Sequence, residues 1–172
     1  MNRLVTVLLL AAVFIISERP SPALAATGAV GNGQFVLAEE PEGAVDVIPV
    51  RQGVRDQQNV VVVGRIGGKK NPWINGAAAF LLVDRSLESC DEKGHNCPTP
   101  WDFCCSNLSK SMVLVMFVDE TGRVVRQDAR QLLGVKELDT VVVEGKAKRD
   151  NAGTVSIMAS RIYVKNAAEV SQ

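Results

Sequence analysis

Five runs rich in β-branched and apolar residues, each of strand length, follow one another between residues 59 and 165, and the first is interrupted by a glycine. They are N-V-V-V-V-G-R-I over 59–66, A-A-F-L-L-V-D over 78–84, S-M-V-L-V-M-F-V-D over 111–119, D-T-V-V-V-E-G-K-A-K-R over 139–149 and T-V-S-I-M-A-S-R-I-Y-V-K over 154–165. Side chains branched at Cβ favour the pleated backbone, so these runs predict strands. A glycine inside the first run, followed by Gly67 and Gly68, marks a strand that bends sharply or bulges. Between the third and fourth runs, D-A-R-Q-L-L over 128–133 predicts a short helix with Asp128 near its N-cap and Gly134 past its end. Ahead of the first run, Val45, Val47, Ile48 and Val54 surround Pro49 at irregular spacing, which suits a short helix or helical turn over 43–54 leading into the first strand.

Three strands, a short helix and two strands closed by a tight hairpin form the order expected of an all-β, five-stranded Greek-key OB-fold barrel. Its helix lies between strands 3 and 4, and a cysteine-rich loop joins strands 2 and 3. The barrel domain is expected over 43–166, with 26–42 as a flexible linker and 167–172 as a disordered tail. In the linker, Phe35, Val36 and Leu37 are isolated among Gly, Ala and acidic residues, too sparse to predict a packed element.

The first 25 residues supply a basic start at Arg3, a mostly apolar stretch from Leu4 to Ile16 and the small-residue step Ala23-Leu24-Ala25. These are the parts of a secretory signal peptide, so the protein is expected to be exported, periplasmic or secreted. The stretch is shorter than the ~20 residues that span a bilayer, leaving an uncleaved signal anchor as the one membrane alternative. Cleavage after Ala25 would remove Arg3, Glu18 and Arg19 and leave 147 residues with 17 basic and 18 acidic side chains. A net charge of −1 provides no field for a polyanion.

The stretch 45–164 resembles the OB-fold superfamily, and V-V-V-V-G-R-I with V-V-V-E-G-K-A…T-V-S-I-M-A-S-R-I-Y-V is similar to exported bacterial OB proteins, including periplasmic stress-associated ones. More narrowly, G-R-I-G-G-K-K-N-P-W, C-P-T-P-W-D-F-C-C and L-L-G-V-K-E-L resemble an exported bacterial OB-fold family that brings no activity with it. Exported OB proteins that handle haem use a histidine followed by a tyrosine near the barrel's end. Here that end reads Ser160-Arg161-Ile162-Tyr163-Val164, without the histidine.

Every cysteine and the single histidine fall within 90–105, C-D-E-K-G-H-N-C-P-T-P-W-D-F-C-C. In an exported chain, Cys90, Cys97, Cys104 and Cys105 are expected to form two disulfides. Three pairings are open. Neighbours in extended chain point to opposite sides, which favours Cys90 and Cys97 each bonding one member of the Cys104-Cys105 pair. The alternative is a zinc or copper site using Cys90, His95, Cys97 and Cys104 or Cys105, since thiolate and imidazole suit both metals. The spacing lacks the C-x2-C of common zinc modules and the C-x-x-C of redox pairs. Apart from that metal alternative, no cofactor is expected.

Trp101, Asp102 and Phe103 in this segment are candidates for a recognition surface rimmed by Asp91 and Glu92, or for a plug holding the loop on the barrel wall. Lys69, Lys70 and Trp73 lie in the loop between strands 1 and 2, where OB folds bind nucleic acid or sugars. A seven-residue strand at about 3.3 Å per residue places the two loops roughly 20 Å apart unless the longer one folds back. Nucleic-acid binding is not expected, because Phe80 and Phe117 are the only aromatics on strands 2 and 3 and both sit in apolar runs. No phosphate-binding glycine loop, H-E-x-x-H or nucleophile elbow occurs, so no enzyme is expected. The sequence thus points to a non-enzymatic exported module that presents a disulfide-braced loop to a protein, glycan or envelope component. Metal binding is the alternative, and oligomeric state has no signal.

Overall fold

The computed structural model describes residues 32–94 and 97–165. Its elements are the two-residue strand β1 (Val45–Asp46), α1 (Val47–Gly53), β2 (Asn59–Ile66), β3 (Ala79–Val83), β4 (Met112–Phe117), α2 (Ala129–Leu133), β5 (Thr140–Arg149) and β6 (Val155–Val164). The strands run β2-β3-β4-β6-β5, and β5 returns to β2, closing a barrel of five strands. The β4–β6 pair is parallel while β2–β3, β3–β4, β2–β5 and β5–β6 are antiparallel. With α2 between its third and fourth strands, this all-β barrel has the OB fold.

Closure depends on β2 having two neighbours in succession. It pairs with β5 from Asn59 to Arg65 and with β3 at Arg65 and Ile66, so the partner changes beside Gly64. A Cβ on Gly64 would stand 2.7 Å from Leu82 Cγ and from the Val83 carbonyl. The glycine is there because the strands cross too closely for a side chain. A bulge between Glu144 and Gly145 supplies the second bend.

Alternate residues of these strands, among them Val62, Ile66, Phe80, Leu82, Val115 and Phe117, fill the barrel. Both helices add to that core, α1 through Val47 and Val50 and α2 through Leu132 and Leu133. Asp128 caps α2 by accepting a hydrogen bond from the Arg130 N–H, and Gly134 leaves the helix in the left-handed conformation at φ 69°. No such local cap serves α1: Asp46 pairs with Arg85 at 2.7 Å, and the buried Asp84 carboxylate, from the end of β3, accepts the Ile48 N–H at 2.7 Å.

The linker expected over 26–42 is docked in its middle. Phe35 is buried, its ring edge-on to Phe117 at 5.5 Å, and the backbone hydrogen-bonds with Ile162 in both directions. One aromatic can fill a gap at the barrel's end without periodic apolar neighbours, which is why sparse patterning understated the segment. The signal segment 1–25, the tail 167–172 and His95 lie outside the described residues.

Candidate metal centre

Residues 84–111 leave β3 and re-enter β4 as one excursion, closed at its base where the Asp84 N–H bonds the Ser111 carbonyl at 2.9 Å. Within it the Cys90 N–H donates to the Asp102 carbonyl at 2.8 Å and the Asp91 N–H to the Pro100 carbonyl at 3.2 Å, which lays 90–91 alongside 100–102. Cys104 and Cys105 follow in a turn in which the Ser106 N–H reaches back to the Phe103 carbonyl.

This folding gathers the sulfurs. The Sγ atoms of Cys90, Cys97 and Cys104 all lie within 4.8 Å of one another, Cys90 and Cys104 being 3.2 Å apart. Cys105 Sγ stands 3.7 Å from that of Cys104 but outside the mutually close set of three. The expectation that neighbouring cysteines diverge is corrected here: it holds for extended chain, whereas a turn brings both sulfurs to one side. Exposure grades across the group, with Cys90 buried, Cys97 intermediate and Cys104 and Cys105 exposed. Of the expected ligand set Cys90, His95, Cys97 and Cys104, the three cysteines converge.

Their protons are not equivalent. The contact with Cys104 lowers the Cys90 thiol, and the same contact, helped by Cys105, pushes Cys104 up to about 12. Cys97 is raised, chiefly by Cys90. Of these three, the buried sulfur is the one whose thiolate is favoured, and a thiolate is the form that ligates metal. A tetrahedral site with metal–sulfur bonds of about 2.3 Å has sulfur–sulfur edges of about 3.8 Å, a value within the 4.8 Å limit on the separations of the three sulfurs.

The loop folds back onto the barrel, so the expected separation of about 20 Å from the β2–β3 loop does not hold. Arg65, on the outer face of β2, and Gly67, just past its end, lie under Phe103: a Cβ on Gly67 would sit 2.9 Å from the Phe103 ring, and the Arg65 guanidinium lies 5.4 Å from that ring's centroid. Arg65 also donates to Glu92 Oε1 at 2.5 Å and to the Leu87 carbonyl. This pairing holds the Glu92 carboxyl down at about 2. Trp101 donates from Nε1 to the Lys70 carbonyl at 3.1 Å and accepts from the Gly68 N–H. Cys90, Phe103, Val63, Val83 and Val142 are buried but lie outside the barrel core cluster. Cys90 and Phe103 are the buried side of the loop itself, Phe103 being set against Gly67 and Arg65.

Two candidates for a recognition surface are thereby reassigned. Phe103 is 1% exposed and Trp73 is 6% exposed. Trp73 meets Phe80 edge-on at 6.0 Å, donates to Glu137 Oε1 at 2.6 Å and carries Arg130 over its ring. Trp101 and Asp102 are half-buried, and Lys69 and Lys70 are exposed beside them. Sequence reasoning passed over Arg65, the residue that straps the loop down. The available signal was a lone charge inside an apolar strand run, immediately before two glycines.

No protein-family model matches the chain, and no curated protein does. Among solved structures, the hypothetical protein ygiW from E. coli is similar at 16% identity, TM-score 0.39, over 76% of this chain and 96% of that one. The second single-stranded DNA-binding protein of Mycobacterium smegmatis is similar at 17% identity, TM-score 0.34, over 62% and 86%. The mitochondrial single-stranded DNA-binding protein Rim1 of S. cerevisiae is similar at 16% identity, TM-score 0.37, over 64% and 96%.

Proposed function

We propose that the protein binds a thiophilic metal ion, zinc(II) or copper(I), through Cys90, Cys97 and Cys104, and that the OB barrel is the scaffold for this loop rather than a catalyst. One observation carries the reading: three cysteines separated by up to 14 residues bring their sulfurs mutually within 4.8 Å. Two independent disulfides need only two pairs to meet, whereas a metal needs its donors at one point. The buried Phe103 set against Gly67 and the Arg65–Glu92 clasp fix the loop that carries the donors. The leader-like segment 1–25 and the resemblance to exported OB proteins support an address outside the cytosol, where such an ion is bound in competition with thiol oxidation.

A disulfide is the second reading, favoured by the 3.2 Å between Cys90 and Cys104. The loop would then present Trp101 and Asp102, with Lys69 and Lys70, to a protein or glycan. Native mass spectrometry of protein purified without chelator separates the two. One equivalent of metal, with four alkylatable thiols after its removal, supports the metal site; a metal-free chain lighter by two or four hydrogens refutes it.

A further inference from the structure

The four sulfurs are not arranged as four equal ligands. Three form a mutually close seat whose deepest member, Cys90, is 1% exposed, and the fourth stands at the rim, 3.7 Å from Cys104. A closed structural zinc site would have its fourth donor equidistant from the other three. Three thiolates alone satisfy a monovalent soft ion such as copper(I), which needs no fourth donor. Resting on the metal reading above, we propose that Cys105 is an exchange ligand, through which copper(I) passes between the three-sulfur seat and a carrier that presents the ion on a thiolate.

Each step conserves charge and leaves the copper oxidation state unchanged. The carrier's sulfur–copper bond breaks as the Cys105 sulfur–copper bond forms, and the proton leaving Cys105 passes to the departing carrier sulfur. Cys104, within 3.7 Å of Cys105, then takes the ion as the Cys105 sulfur–copper bond breaks and the Cys104 thiol proton passes to Cys105. Cys90 and Cys97 complete the seat, each giving its thiol proton to solvent as its sulfur–copper bond forms, and release reverses the order. Cys104 and Cys105 are the exposed members of the group, so a carrier reaches the rim without uncovering the buried Cys90.

The test loads the reduced full chain with copper(I) and follows its loss to excess bathocuproine disulfonate by stopped-flow absorbance. The Cys105→Ser chain is expected to hold one copper, as the unsubstituted chain does, and to release it about tenfold or more slowly, because an exit ligand changes rate rather than equilibrium. The Cys97→Ser chain is expected to lose stoichiometric binding. Unchanged release from Cys105→Ser, or loss of its copper, overturns the exchange role while leaving the metal site in place. Failure of the unsubstituted chain to take up copper(I) or zinc(II) overturns the metal reading itself.

Discussion

Gly67→Ala places a single methyl group where the thiol loop meets the barrel. The added Cβ would lie 2.9 Å from Phe103 Cε2 and 2.9 Å from the Trp101 carbonyl oxygen, against ordinary carbon contacts of about 3.5–4.0 Å. Neither neighbour can yield alone. Phe103 is buried at 1% exposure, and the Trp101 carbonyl is held by the Gly68 N–H. The loop must retreat as a body, and overpacking of this kind costs about 1–3 kcal/mol. Most of that cost falls on docking, since both close contacts are with the loop, while the bond from the Gly67 N–H to the Leu81 carbonyl is one that an alanine at 67 can still donate. The open population of the loop should rise about 5- to 150-fold, a tenfold change corresponding to about 1.4 kcal/mol. Trypsin reads it directly: cleavage after Lys93 or Lys110 follows the open fraction when reclosing is fast. The barrel's melting temperature, followed by far-ultraviolet circular dichroism, should stay within about 2 °C of the unsubstituted protein. Unchanged proteolysis, or loop and barrel lost in a single transition, would show that the loop is not a separately docked unit.

Phe35→Ala should cost the barrel about 3–5 kcal/mol in urea unfolding, the range for emptying a buried aromatic site; a loss below about 1 kcal/mol would return 35–37 to the status of a tether. Replacing Cys90, Cys97, Cys104 and Cys105 together by serine should leave a cooperative β-sheet melt while exposing the loop to trypsin, and disappearance of the β-sheet dichroism would mean that the sulfurs hold more than the loop. Glu92, held at about 2 by Arg65, has a folded pKa below its usual 4.5. A depressed carboxylate stabilises above its ordinary pKa and loses that contribution as pH falls, so loop proteolysis should rise between pH 4.5 and about 2. The Glu92 side chain is 45% exposed, so the effect should not exceed about 1 kcal/mol, and Glu92→Gln should abolish the pH dependence.

The barrel was legible because its determinants are local and periodic. Runs such as V-V-V-V-G-R-I state strand and bend together, and the Asp128 and Gly134 signals bracket α2 within a residue. The parts that escaped depend on single residues meeting across long stretches of chain. Phe35 reaches Phe117, Asp84 caps a helix 36 positions earlier, and Arg65 grips Leu87 and Glu92. No periodicity announces such contacts. The cysteine segment was legible as chemistry and not as geometry, because the divergence expected of Cys104 and Cys105 assumed extended backbone where the chain turns.

The hydrogen bond between the Asp84 N–H and the Ser111 carbonyl has a wider consequence. β3 and β4 pair in unbroken register from Ala79 and Met116 to Val83 and Met112, so the chain departs from and rejoins the barrel at one point. A short β-turn can join those strands without altering a single ladder pair. Residues 85–110 are thus topologically a detachable cassette, transplantable to another hairpin whose neighbouring strand offers an arginine and a glycine in the places of Arg65 and Gly67.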